Sequence, residues 1–406
     1  MSQLQVIGIM GCFMFWQMSL VGSCAVFPLL PLLVIPSQKV RCVFSWWSSN
    51  IQASWLASFL VFLRYGLGIK IFFHTRKQEC LDDLAKLGNA LVVCNHRSRI
   101  DWMFLWGLAA AMDRLRGIKI VLKDSLRKAP GAGWVMQCTG FLFMARRSRD
   151  SDLSNLESTI AMHCQDAAGG PLAFILFPEG TDLSESNIEK SNAFATARGL
   201  PCYTQVLHPK TAGFVTAWQS LRTFQSNQSA QPALVDVTIA YMDHQVGERP
   251  SELSVFLKGR PCREVHMFVE PICGLPSGVP SSAVEELCRQ LFAKKESRLA
   301  KFYAPCASGS LPNMAAFRSG DDAFTVEAPL EAVPAARSAM HWGCAAFGLL
   351  EATALFAAWE LGTSRTLVAF IAICGVYATL TGMGGGIDQL LLRHVAWRAS
   401  IPLANT

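Results

Sequence analysis

Charge is scarce in this chain. Of its 406 residues only 16% are Asp, Glu, Lys or Arg, against about 25% in an average soluble domain. No charged side chain precedes Lys39, no two of the 14 cysteines have C-x-x-C spacing, and no internal repeat is visible. Each absence excludes something. A disulfide framework and a Cys/His zinc site lack their spacing, so the cysteines read as reduced, buried thiols facing a cytosolic environment. With no zinc-finger pattern, no aromatic–basic RNA motif and no basic stripe, no nucleic-acid partner is expected. The net charge of +6 is modest and gathers near the N-terminal apolar stretch, where it suits an anionic membrane surface.

What the chain has in excess is apolar sequence: 51% of residues and a mean hydropathy of +0.29. That argues against an ordinary soluble enzyme. Leu4–Ile35 exceeds the roughly 20 residues that cross a bilayer, with Pro28, Pro31 and Pro36 set to kink or end the helix. It lacks the basic start and small-residue cleavage site of a signal peptide and reads as a retained anchor. Ala339–Trp359 and Thr366–Ile387, joined by the short connector Glu360–Arg365, read as a transmembrane hairpin. Six basic and no acidic residues lie between Lys39 and Gln78, and Arg337, Arg393 and Arg398 flank the hairpin opposite its connector. By the positive-inside rule residues 76–337 face the cytosol. Cys42–Leu63 is also uncharged, yet its five Ser, Asn50 and Gln52 make a poor span; with Trp46, Trp47 and Trp55 it reads as an amphipathic interfacial segment. Were it to cross, the middle region would face the other side.

Between the apolar ends, short apolar runs alternate with helical patterns. Strands are expected at Ala90–Cys94, Ile118–Leu122, Phe141–Met144, Leu172–Phe177, Leu234–Tyr241 and Glu264–Glu270, and helices at Asp101–Met112, Ser154–Gln165, Lys190–Ala197, Ala212–Leu221 and Ala283–Lys301. This alternation predicts an α/β fold with a sheet flanked by helices. The expected organisation is a membrane anchor and interfacial segment over residues 1–75, a catalytic domain over 76–275, an extension and linker over 276–337, and the hairpin over 338–390.

Chemistry concentrates at three strand ends. In Asn95-His96-Arg97-Ser98-Arg99-Ile100-Asp101 a strand exits and a helix begins. A continuous helix would rotate His96 about 140° away from Asp101, so the two meet only if the chain turns between them. Asp101 would then hold one imidazole nitrogen and leave the other as a base toward a hydroxyl. The alternative is a capping box, Ser98-x-x-Asp101, with His96 a hydrogen-bonded loop residue. Phe177-Pro178-Glu179-Gly180-Thr181 follows another apolar run; its turn can present backbone N–H groups to an anion, although an ordinary strand-ending turn fits equally. Gly140 through Arg147 is a strand whose exit carries two guanidiniums, and Arg146 there has the fork that grips phosphate. Lys123 ends the run Ile118–Leu122 in the same manner, and both basic residues can equally be solvated loop charges.

These segments, in this order, resemble the glycerolipid acyltransferase family that includes 1-acylglycerol-3-phosphate acyltransferases. The N-H-x4-D motif is matched by Asn95, His96 and Asp101, G-x-x-F-x-x-R by Gly140, Phe143 and Arg146, and F-P-E-G-T by Phe177 through Thr181. Asp101-Trp102-Met103, Pro130 through Trp134, Phe177–Leu183 and Val206 through Thr211 look like the lysocardiolipin acyltransferase-like branch, over roughly residues 85–275. The resemblance implies a glycerol-phosphate acyltransferase-like fold and transfer of an acyl group from acyl-CoA to a lysophospholipid hydroxyl at the bilayer. It implies His96 as base, Asp101 as its orienting carboxylate, Arg146, Gly180 and Thr181 (with Lys123 beside them) around the acceptor phosphate, and Glu179 at the glycerol. No cofactor and no metal are implied; acyl-CoA is a co-substrate. An internal membrane, the endoplasmic reticulum, is the expected location. Two departures stand out. Asp182 occupies the position where many members carry Arg, and Leu207-His208-Pro209-Lys210 replaces an apolar-Pro-Val motif. Both favour an acceptor larger than lysophosphatidate, such as lysocardiolipin or lysophosphatidylinositol. A CoA-independent transacylase and a non-catalytic membrane-shaping protein of the same fold remain as alternatives.

Overall fold

The computed structural model describes residues 1–35, 37–145, 148–165, 170–225, 232–243, 250–272, 279–318, 323–382 and 386–399. In chain order its strands are β1 (Lys70–Thr75), β2 (Ala90–Cys94), β3 (Ile118–Lys123), β4 (Leu142–Met144), β5 (Ala173–Leu176), β6 (Ala233–Tyr241), β7 (Glu264–Ile272) and β8 (Val326–Pro329). The helices are α1 (Gln3–Val26), α2 (Gln38–Val61), α3 (Gln78–Asp82), α4 (Asp101–Ala111), α5 (Ala132–Cys138), α6 (Arg149–Gln165) and α7 (Glu185–Thr196). They continue as α8 (Thr211–Gln225), α9 (Ser281–Tyr303), α10 (Ala315–Arg318), α11 (Pro334–Leu361), α12 (Thr363–Gly382) and α13 (Ile387–Ala399).

Central strands read as continuous apolar runs because both of their faces are covered. All five residues of β2 are buried. Leu91 and Val93 pack toward α6, α8 and α9, whereas Ala90, Val92 and Cys94 pack toward α2, α4 and α11, the period-2 alternation of a pleated strand. The result is one eight-stranded mixed sheet between two helical layers, in the order β4-β3-β5-β2-β6-β7-β1-β8. Strands β4 through β6 run parallel; β6–β7 is antiparallel, β7–β1 parallel and β1–β8 antiparallel. The exits of β2, β5, β3 and β4 therefore lie side by side along one edge of the sheet, where ligands bind in open α/β folds.

Three expectations need correction. The sheet does not begin after residue 75: β1 pairs with both β7 and β8, and Ile71 and Phe73 are buried in the core. It was hidden by its polar ends and by the basic cluster around it. The Ala/Pro/Ser-rich stretch 304–336 is not a plain linker, because Val326–Pro329 closes the sheet edge; a four-residue strand ending in Pro carries too little periodicity to be seen. Finally, α2 does not lie as a free interfacial segment. Trp55 is 2% exposed and packs against Trp106 of α4, and Gln52 donates to the carbonyls of Leu115 at 2.7 Å and Arg116 at 3.3 Å. Much of its polarity is satisfied by protein.

Among the described residues three helical segments are long and apolar enough to cross a membrane: Gln3–Val34, Pro334–Leu361 and Thr363–Gly382. They mark the chain as membrane-associated. At Phe27, one residue before Pro28, α1 gives way to a 3-10 helix, as the prolines dictate. Its inner face fits tightly on the body: a Cβ on Gly8 would lie 2.2 Å from the Phe256 carbonyl oxygen. By contrast α11 and α12 leave Leu349, Leu355, Phe356, Trp359 and Val368 exposed. Beyond α12 the chain returns to the body, where Arg127 Nη1 meets Asp388 Oδ1 at 2.8 Å.

Candidate active site

The loop leaving β2 is pinned on both sides. Asn95 Oδ1 accepts from the Ile239 N–H at 2.9 Å while its Nδ2 donates to the Ile239 carbonyl at 3.2 Å, clamping the loop to β6. The His96 N–H donates to Glu179 Oε1 at 2.7 Å, and the His96 carbonyl accepts from the Leu183 N–H at 2.8 Å. The exits of β2 and β5 are thus tied together through one residue. Two interactions set the His96 ring. It stacks on Phe177, centroids 4.3 Å apart, and its Nδ1 lies 3.0 Å from Asp101 Oδ2.

Asp101 opens α4 and is fully buried. Its Oδ2 also accepts from the Ser98 N–H at 2.9 Å, and its Oδ1 accepts from the Tyr241 hydroxyl. An ionised carboxylate only accepts, so Nδ1 of His96 carries the hydrogen and Nε2 is left as the basic nitrogen. The side chain of His96 is 18% exposed, that of Asp101 not at all. Burial alone draws the imidazole toward its neutral form. The Asp101 hydrogen bond and the charges of Asp101, Glu179 and Asp182 outweigh it and raise the pKa above 6.5. The capping-box alternative is half realised: the Ser98 backbone binds Asp101, but its hydroxyl donates to the Pro250 carbonyl.

Glu179 is 2% exposed. Its second oxygen accepts from the Leu207 N–H at 2.9 Å. Both oxygens therefore hold backbone, which ties the turn after β5 to the His96 loop and to the segment at Leu207. Burial pushes its carboxyl up to about 7, against the two amide donors. The turn it sits in is closed by the Gly180 N–H donating to the Phe177 carbonyl at 3.0 Å, with Gly180 at φ 74°, a conformation that suits glycine. Next to it the Thr181 hydroxyl accepts from Asn187 Nδ2 at 3.2 Å and donates to Asp182 Oδ1 at 3.4 Å.

His96, Asp101, Glu179, Gly180 and Thr181 are thus brought together. Lys123 ends β3 as an exposed side chain on the same sheet edge. Arg146 lies outside the described residues; Gly140 and Phe143 of its motif lie inside, and a Cβ on Gly140 (φ 69°) would meet His163 Nε2 at 2.8 Å. Three further residues escaped the sequence reading. Tyr241 reaches Asp101 from 140 residues away, with no local signal. Arg97, 5% exposed, places its guanidinium 3.8 Å over the Tyr303 ring. Lys210 binds the Pro178 carbonyl through its N–H at 2.8 Å, and its ammonium lies 3.2 Å from where a Gly180 Cβ would sit. Among the described residues no group of three or more His, Cys, Asp or Glu is arranged to hold a metal ion.

Comparison with known proteins agrees with this arrangement. A family profile described as Acyltransferase matches residues 76–242. The chain is 35% identical over 278 residues to lysocardiolipin acyltransferase 1 of Mus musculus, covering 68% of each chain. It is 30% identical over 296 residues to 1-acyl-sn-glycerol-3-phosphate acyltransferase 2 of Arabidopsis thaliana, 70% of this chain and 68% of that one. To lysophosphatidylinositol acyltransferase 10 of Caenorhabditis elegans it is 31% identical over 220 residues, 54% and 52% of the two chains. With the first two of these relatives at least 30% identical and each covering two thirds of its length, the chain belongs to the acyltransferase family.

Proposed function

We propose that the chain transfers a fatty acyl group from acyl-CoA to a free glycerol hydroxyl, at sn-2, of a lysophospholipid embedded in the membrane that holds it. The observation that carries this reading is the His96–Asp101 pair, with Nδ1 engaged at 3.0 Å and Nε2 left basic. Nε2 takes the acceptor hydroxyl's proton as that oxygen attacks the thioester carbonyl. The new C–O bond forms, the C–S bond breaks, and the proton passes from the imidazolium to the departing CoA thiolate. Asp101 stabilises the imidazolium. Gly180, Thr181 and Lys210, with Lys123 at the end of β3, hold the acceptor phosphate, and Arg146 of the G-x-x-F-x-x-R motif is assigned to the same phosphate from its sequence position. The donor set fits a headgroup-bearing acceptor such as lysocardiolipin or lysophosphatidylinositol, and the names of the relatives cover both as well as 1-acylglycerol-3-phosphate.

A panel of lysophospholipids presented with labelled oleoyl-CoA to membranes carrying the chain tests this. Incorporation into one acceptor class supports the proposal and names the acceptor; transfer without acyl-CoA, from another phospholipid, would replace it by a transacylase. The same proposal places the sheet domain, β1 through β8, on the cytosolic face of the endoplasmic reticulum, with α11 and α12 crossing as a hairpin. A glycosylation acceptor added after Thr406 then stays unmodified, and efficient glycan addition there would rule the hairpin out.

A further inference from the structure

At the opposite end of the sheet from His96, where β3 and β5 begin, a second cavity of about 40 Å³ lies between α2, α5, α6 and α13. That is room for two or three waters or one phosphate-sized group. Its walls carry Arg41, Arg116 and Lys119, with the hydroxyls of Ser45, Ser48 and Ser49, and no carboxylate among the described lining residues. Lys119 and Ser49 are 2% and 4% exposed. One observation shows a polar atom there awaiting a partner: Arg41 Nε is buried without a hydrogen bond to any described residue. Unsatisfied donors are rare inside proteins. Gathered cations with nearby hydroxyls and no acid describe a tetrahedral oxyanion.

The surroundings of the mouth indicate where that anion comes from. On the same stretch of α2, Val43 and Trp46 are 53% and 50% exposed, an apolar surface beside the cationic one. Leu391 of α13 closes the other side. A phosphate bearing acyl chains satisfies both surfaces at once; a free phosphate satisfies one.

We infer that this cavity binds the phosphate of an anionic membrane phospholipid, at a site separate from the His96 centre. An occupied site fastens α2, α5 and α13 to one another at the membrane surface, so the lipid acts as a structural ligand of the folded chain.

The test uses the full chain in neutral detergent and reads its thermal midpoint against three probes: dioctanoyl phosphatidylglycerol, dioctanoyl phosphatidylcholine and inorganic phosphate. Phosphatidylglycerol is expected to raise the midpoint and the other two to leave it in place. Arg41→Gln with Arg116→Gln, side chains with no hydrogen bond or ion pair among the described residues, is expected to weaken the phosphatidylglycerol response on the order of fivefold in apparent affinity per charge. Acyl transfer in phosphatidylcholine membranes stays at the parental level. Ser45→Glu, which sets a carboxylate at the mouth, should abolish the response. An equal rise with phosphatidylcholine, or an unchanged response in both variants, overturns the site. An equal rise with inorganic phosphate overturns the lipid assignment.

Discussion

Two of the buried aspartates, Asp101 at the start of α4 and Asp236 on β6, hold partners of opposite kinds. Asp101 and Asp236 are 0% and 3% exposed. Asp236, on β6, faces Lys295 of α9, whose Nζ lies 2.6 Å from its Oδ1. The same ammonium donates to the Val237 carbonyl at 2.6 Å, and Lys295 is 0% exposed. Every group in that pair looks inward. Asp101 instead holds a ring whose second nitrogen has no partner among the described residues and whose side chain is 18% exposed. Burial and opposite charge are common to both. What separates a reactive pair from a structural one is an unspent polar atom at the boundary with solvent.

The contrast is broken most sharply at His96. His96→Ala removes the base and should cost about 10²–10⁴-fold in acyl transfer while the thermal midpoint stays near the parent's, because Asp101 keeps its Ser98 and Tyr241 donors. Rates and melting on the same preparation check both halves. Activity within a few-fold of the parent would take His96 out of the mechanism.

Lys295→Met should do the reverse. Removing one member of a buried pair costs about 3–5 kcal/mol of stability, yet turnover per folded molecule is expected to hold. Adding Asp236→Leu should restore most of the loss, since apolar replacement of a whole buried pair is often neutral. A double variant no more stable than Lys295→Met, or a single variant that melts like the parent, would contradict the structural role given to the pair.

The legibility of the two centres differs for the same reason. His96 and Asp101 are five residues apart at a strand-to-helix junction, so the chain itself announces them. Asp236 and Lys295 are separated by most of β7 and α9, and a lone Asp in an apolar strand says nothing about its partner. The sheet followed similar lines. The runs at Ala90–Cys94 and Ala233–Tyr241 are buried on both faces and stand out from composition. Val326–Pro329 is a short edge strand and Lys70–Thr75 its polar-ended neighbour, and both are completed only by tertiary pairing. Glu179 was visible as part of a motif, but its role was not, because its partners are backbone amides on two distant loops.

A smaller effect concerns protons. The base works neutral, so transfer should fall as pH drops through the His96 pKa, with a midpoint above the ordinary 6.5. Burial pulls that midpoint down; the Asp101 hydrogen bond and charge push it up by more. Asp101→Asn should move the acid limb of kcat/KM to lower pH and lower the plateau as well, since an amide no longer dictates the ring's tautomer. A limb that stays in place would mean that a group other than His96 sets it.

The smallest shift is expected at Asp182, the acid in the turn after β5. Its carboxylate is the weakest of the charges that raise the His96 pKa, and it accepts from the Thr181 hydroxyl at 3.4 Å. Asp182→Asn keeps that hydrogen bond and removes the charge. The acid limb should therefore move down by less than in Asp101→Asn, with the plateau intact. Because Asp182 is only half-buried, salt should screen its charge more than that of buried Asp101. Raising the ionic strength of the parent is then expected to reproduce the Asp182→Asn shift. It should have little further effect on the variant. A limb in Asp182→Asn that lies with the parent's at low salt would show that the turn after β5 reaches His96 through its backbone alone.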